Sequence, residues 1–171
     1  MEHTFAKSDV CDEAIERLMS EYGTAILRVC YTYVKDMSLA EDAMQDTFIK
    51  AYKSYGRFRS EHDNSEKAWL MRIAINTCKD YLRTSWFRHV DRNLTPEEMI
   101  GFGEESKDRT LILTIMALPA KLKDVLVLYY YQGLTIQEIG DALGLSKSAV
   151  HHRLKEAQKQ LKEELEVSID G

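Results

Sequence analysis

Residues 146–162 carry five basic groups against one acidic group. They also carry a helical apolar repeat: Val150, Leu154, Ala157, Leu161 and Leu165. A helix built on that repeat turns Lys147, Ser148, His151, His152, Lys155, Glu156 and Lys159 outward, and Arg153 joins them as a candidate for contact with nucleic acid. Lys147, Ser148 and Lys159 suit phosphate oxygens. His151, His152, Lys155 and Glu156 suit base edges in a major groove. The adjacent His151–His152 pair diverges on a helix, whereas a helical zinc pair needs i, i+4 spacing, so no metal is expected. No paired carboxylates, nucleophile–base set or glycine-rich phosphate loop stands out, so neither an enzyme nor a cofactor is expected.

In a helix-turn-helix, a second helix holds such a helix at a steep angle. The segment Thr135-x-x-Glu138-Ile139-Gly140-x-x-Leu143-Gly144-Leu145-Ser146 supplies that geometry. Thr135 and Glu138 form a capping box opening a short helix. Ile136, Ile139 and Leu143 give its inner face, Gly144 bends the chain, and Ser146 caps the following helix. Gly140 permits close approach. Residues 135–162 therefore read as a helix-turn-helix. An ordinary helical hairpin with a charged face is the plainer alternative.

A second constellation follows Glu66. Trp69, Leu70, Ile73, Ala74, Thr77, Cys78, Tyr81 and Leu82 line one side of a helix, and Lys67, Arg72, Lys79 and Arg83 decorate others. Aromatics with cations suit unpaired DNA, because rings stack on bases while cations track the backbone. Trp69 reads as core. Trp86 and Phe87, at the helix end, read as exposed.

Two helices precede it. The stripe Ile15, Leu18, Met19, Tyr22, Ile26, Val29, Cys30 and Tyr33 makes the first. The second opens on a capping box of Ser38 with Glu41, buries Leu39, Ala43, Thr47, Phe48, Ala51, Tyr52 and Tyr55, and ends at Gly56. Residues 56–65 read as a polar loop. Leu111, Ile112, Ile115 and Leu118 start a further helix, which Pro119 interrupts. Leu122, Val125, Leu126, Leu128 and Tyr129 continue its apolar pattern up to Gly133.

The charge distribution agrees with local DNA contact. The net charge is −5 over 171 residues. Residues 66–92 carry 6 basic and 3 acidic groups, while residues 93–108 carry 1 and 5. Two basic islands thus flank an acidic bridge. Only two prolines and eight glycines occur, which favours helices. The expected fold is all-α: two small helical domains, residues 10–84 and 109–166, joined by a flexible acidic linker, residues 85–108. No apolar run spans a bilayer, and the polar N-terminus lacks a signal-peptide layout, so a cytoplasmic location is expected. Cys11, Cys30 and Cys78 are widely spaced, and the latter two read as small core residues.

Four blocks in order resemble a family. Ala40-Glu41-Asp42-Ala43-Met44-Gln45-Asp46-Thr47-Phe48-Ile49-Lys50-Ala51-Tyr52 resembles region 2.2 of extracytoplasmic-function (ECF) sigma factors, the compact members of the sigma-70 family. Trp69-Leu70-x-Arg72-Ile73-Ala74-x-Asn76, with Asp80-x-Leu82-Arg83, resembles regions 2.3 and 2.4. Leu118-Pro119 with Val125 to Gly133 resembles region 4.1, and the helix-turn-helix resembles region 4.2.

The resemblance implies a sigma region 2-like bundle and a sigma region 4-like domain in a transcription initiation factor. Glu41, Asp42, Gln45, Asp46, Phe48 and Lys50 would dock on core RNA polymerase, at its β′ clamp, and the polymerase β flap is a further implied contact. Phe58 and its loop, with Asn76, would capture a base flipped from the −10 element of promoter DNA. Arg72, Lys79 and Arg83 would hold nearby backbone, and the recognition helix would read the −35 element. The linker would thread toward the polymerase cleft. An anti-sigma factor, often membrane-linked in this family, is an implied partner. The recognition helix departs from the family's arginine-rich pattern: His151, Lys155, Glu156 and Gln158 stand outward, and Glu156 suits cytosine better than phosphate. Two other readings remain open at this point. A self-sufficient helix-turn-helix regulator would bind duplex DNA without polymerase, and an adaptor would bind only a protein partner.

Overall fold

The computed structural model describes residues 2–61, 65–84, 113–115 and 117–170. Helix dominates these residues, and no strand occurs among them. The chain divides into two units, Met1–Arg92 and Asn93–Gly171. The acidic segment 85–108, including Trp86 and Phe87, lies outside the described residues.

The N-terminal unit packs three helices: α1 (Glu2–Val34), α2 (Met37–Glu61) and α3 (Glu66–Arg83). The expected stripe of α1 buries Ile15, Leu18, Ile26, Val29, Cys30 and Tyr33, but Met19 is exposed. α1 stops at Lys35, which takes a left-handed φ of 56°. Its amide still donates to the Tyr31 carbonyl, at 2.9 Å. The next residue, Asp36, precedes α2. The Asp36 carboxylate accepts from the Leu39 amide at 2.8 Å, so Asp36 is the cap where the sequence suggested Ser38.

α2 also ends later than expected. It runs through Gly56 to Glu61, so Phe58 stands on a helix, not in a loop. Phe58 stacks on Trp69 at 4.4 Å between centroids and sits beside Tyr55 at 6.3 Å. Burying that ring contributes more than the roughly 1 kcal/mol that a mid-helix glycine costs.

α3 is capped by Ser65, whose side chain accepts from the Ala68 amide. It buries Leu70, Ala74, Thr77 and Cys78 as expected, and also Met71 and Ile75, because α1 and α2 both pack against it. Arg17 of α1 donates to both Glu66 carboxylate oxygens, at 2.9 and 2.8 Å. Tyr55 of α2 donates to the same carboxylate at 2.8 Å. One acid at the start of α3 thus gathers all three helices. The Cys30 thiol is pushed well up by its hydrogen bond with Cys78 and by burial, which keeps it protonated and unreactive.

The C-terminal unit has a helical stretch at 113–115, then α4 (Ala120–Leu126), α5 (Ile136–Leu143) and α6 (Lys147–Asp170). Pro119 precedes α4, and its carbonyl accepts from the amides of Leu122 and Lys123. α4 widens into a π-turn over Val127–Tyr131, closed by a Gln132 amide to Val127 carbonyl bond of 3.1 Å. Residues 122–128 are buried without a break, whereas Tyr129 and Tyr130 turn outward. The sequence had counted Tyr129 with the apolar pattern. The wide turn ends at Gly133, with φ 63°.

Candidate functional site

The helix-turn-helix forms from short-range bonds. The Thr135 side chain accepts from the Glu138 amide, and the Glu138 carboxylate accepts from the Thr135 amide at 2.9 Å. This completes the expected capping box. α5 ends on Gly144 in the left-handed region, φ 67°. The Ser146 hydroxyl oxygen caps α6 by accepting from the Ala149 amide at 3.2 Å. Val150, Leu154 and Ala157 are buried beneath α6.

That packing turns Lys147, Ser148, His151, His152, Lys155 and Lys159 into one exposed stripe, with Gln158 at its edge. Two other residues read as DNA contacts stand apart. Arg153 is half-buried, and its charge acts on the buried Asp124 carboxyl of α4. Helix periodicity puts Arg153 opposite the stripe. Glu156 is also half-buried, and its carboxylate accepts from Gln160 at 3.0 Å. Burial pushes the Asp124 carboxyl up to about 7, against the opposing pull of Arg153. Near the middle of α6, the Gln158 amide donates to the Tyr130 hydroxyl at 2.5 Å.

In the N-terminal unit, Arg72, Asn76, Lys79 and Arg83 recur at steps of four, three and four on α3, which puts them on one face. Arg72, Asn76 and Arg83 are exposed and Lys79 is half-buried. Arg83 also contacts Asp80 at 3.3 Å. Phe58 does not join this face. It is 6% exposed and buried against Trp69, so it is not available to stack on a base.

On α2, Glu41, Asp42, Gln45 and Lys50 are exposed and Asp46 is half-buried. Phe48 is 4% exposed and belongs to the core. It falls on the inner side of the helix beside Thr47 and Ala51, which removes it from any docking surface. The sequence reading missed Ile49 and Tyr52, which are 52% and 43% exposed. They extend the Gln45 face at steps of four and three. That spacing is the available signal, although the apolar pattern alone places Tyr52 inward. The Asp46 carboxylate accepts a short hydrogen bond from the Tyr81 hydroxyl of α3. Lys50 donates to the Thr77 hydroxyl at 3.1 Å and lies 3.7 Å from Asp80.

No group of three or more potential metal ligands occurs among the described residues. No helix among them is long and apolar enough to cross a membrane.

Comparison with known proteins matches both units. Residues 18–88 match Sigma-70 region 2, and residues 115–163 match Sigma-70, region 4. The RNA polymerase sigma-H factor of Pseudomonas aeruginosa is 31% identical over 169 residues, covering 90% of this chain and 86% of that protein. The ECF RNA polymerase sigma factor SigW of Bacillus subtilis is 27% identical, covering 90% and 89%. Among solved structures, the fold is similar to CnrH in complex with the cytosolic domain of CnrY, with a TM-score of 0.71, 24% identity and coverage of 91% and 90%. It is similar also to the sigma factor RpoE in complex with the anti-sigma factor NepR from Bartonella quintana, with a TM-score of 0.73, 20% identity and coverage of 91% and 98%. The two ordered regions and the near full-length relatives agree with the helix-turn-helix and the three-helix unit: the chain belongs to the sigma-70 family of RNA polymerase sigma factors, in its ECF branch.

Proposed function

We propose that three separate faces divide the work of promoter recognition. The outer face of α2, with Glu41, Asp42, Gln45, Asp46, Ile49, Lys50 and Tyr52, docks on core polymerase. The α3 face of Arg72, Asn76, Lys79 and Arg83 holds −10 DNA. The α6 stripe reads −35 duplex. The chain performs no covalent chemistry itself and acts in the cytoplasm beside the polymerase.

The observation that carries this reading is the α6 stripe. Six polar and basic side chains stand exposed on the second helix of a capped helix-turn-helix. That is the arrangement a major groove accepts. The α2 face supports the polymerase assignment because it mixes two exposed apolar side chains with acids and an amide. Such a mixture suits a protein surface better than a phosphate backbone. Control by an anti-sigma partner is supported by the NepR complex of the similar RpoE.

Run-off transcription with purified bacterial core polymerase on pooled promoter DNA tests the reading. Discrete transcripts that depend on this chain are expected. Tight duplex binding by the chain alone, without such transcripts, would instead make it a free-standing regulator.

A further inference from the structure

Asp46 and Lys50 lie one helical turn apart on α2, and Thr77 and Tyr81 lie one turn apart on α3. Asp46 meets Tyr81, and Lys50 meets Thr77. The two bonds are rungs between antiparallel helices, so each fixes the other's register. Lys50 is fixed a second time by Asp80, at 3.7 Å. We infer that Tyr81 is a positioning residue for the polymerase-docking face: from the neighbouring helix, its hydroxyl holds the Asp46 carboxylate in the orientation that docking requires.

This inference rests on the polymerase reading of the α2 face. Tyr81 is half-buried between the two helices and is not needed to touch polymerase. Its bond engages Oδ2 of Asp46, so a docking cation or amide meets Oδ1. A carboxylate already held in one rotamer has less freedom to lose on binding. Burial and the Asp46 carboxylate both push the Tyr81 hydroxyl well above its ordinary range. The hydroxyl therefore keeps its proton and remains a donor to Asp46. Lys50 is oriented in the same way by Thr77, whose own hydroxyl is bonded at 2.8 Å to the Ile73 carbonyl.

The test is a double-mutant cycle on the full chain, read as affinity for core polymerase. Tyr81→Phe removes one oxygen and keeps the ring. It is expected to weaken core binding by about threefold to tenfold. Asp46→Ala weakens it at least as much, and the double variant is expected to be no weaker than Asp46→Ala alone. Binding of the free chain to a single-stranded −10 oligonucleotide should stay within about twofold of the parent, a readout that general loosening of α2 against α3 would lower as well. Thr77→Val, which removes the acceptor for Lys50, provides a second variant with a similar shape. Wild-type core affinity for Tyr81→Phe, or effects that multiply in the double variant, would overturn the positioning role. Unchanged core affinity for Asp46→Ala is a different failure, because it removes the docking assignment itself.

Discussion

Gly140 and Leu145 meet backbone to backbone across the turn of the helix-turn-helix. The Leu145 amide donates to the Gly140 carbonyl at 2.9 Å. A Cβ at position 140 would lie 2.7 Å from the Leu145 carbonyl oxygen. That oxygen belongs to the backbone and cannot rotate aside. Gly140→Ala is therefore expected to destabilise the C-terminal unit by about 1–3 kcal/mol and to weaken −35 duplex binding. Core polymerase binding through α2 should survive. Chemical denaturation and duplex titration measure the two effects separately.

Lys155 and Arg153 are two positions apart but have different surroundings. Lys155 lies on the exposed stripe, whereas Arg153 is half-buried and its charge acts on Asp124. Lys155→Ala should cost about 1–3 kcal/mol of −35 affinity and leave the unfolding midpoint in place. Above pH 7, where Asp124 is ionised, Arg153→Ala should lower the midpoint, because it removes a positive charge that acts on a buried carboxylate. Its effect on duplex affinity, measured on folded protein, should be small. Equal losses of duplex affinity in both variants would return Arg153 to the reading face.

Asp124 gives a pH dependence with a definite sign. Its carboxyl is pushed up to about 7 by burial from an ordinary value of 3.8. Between those values the folded chain holds a proton that the unfolded chain has released. Stability from this group is therefore fully present below about pH 4 and is lost as pH rises toward 7. Asp124→Asn removes the titration. The stability advantage of the variant over the parent should grow by on the order of 2–4 kcal/mol from pH 4 to pH 8 and level off above 7. Urea midpoints at three pH values measure it, and a constant difference would argue against the buried carboxyl as its source.

Lys35 adopts the left-handed conformation that glycine takes without a steric cost, at φ 56°. Lys35→Gly is expected to raise stability by about 0.5–1 kcal/mol after the added freedom of the unfolded chain is counted. Lys35→Val should lower it, since a β-branched residue tolerates that φ poorly. Thermal unfolding of the two variants shows both signs.

The parts legible in the sequence were those whose bonds are local. The Thr135–Glu138 capping box and the Ser146 cap close over three residues and the Gly144 turn over four to five, so residue type and spacing determine them. α2 was harder because it is apolar on two sides. Phe48 and Phe58 face the core while Ile49 and Tyr52 face outward, and a 3.6-residue period does not say which stripe is buried. The end of α2 was misplaced for a related reason. Gly56 is a stop signal locally, but Phe58 gains a stacking partner in Trp69 from another helix. Arg153 reads as a DNA contact in the sequence because Asp124, the carboxyl on which its charge acts, lies 29 positions away. The π-turn has no residue signature at all.

The Tyr130–Gln158 bond has a mechanical meaning for the recognition helix. α6 is held at its start by the Gly140–Leu145 turn and again at Gln158. The twelve residue steps from Ser146 to Gln158 span about 18 Å at helical rise. A rod pinned at two points that far apart resists yaw as well as sliding. On the proposed −35 reading, the angle at which the stripe enters a groove is then set by the protein, and misfit falls to the more deformable DNA.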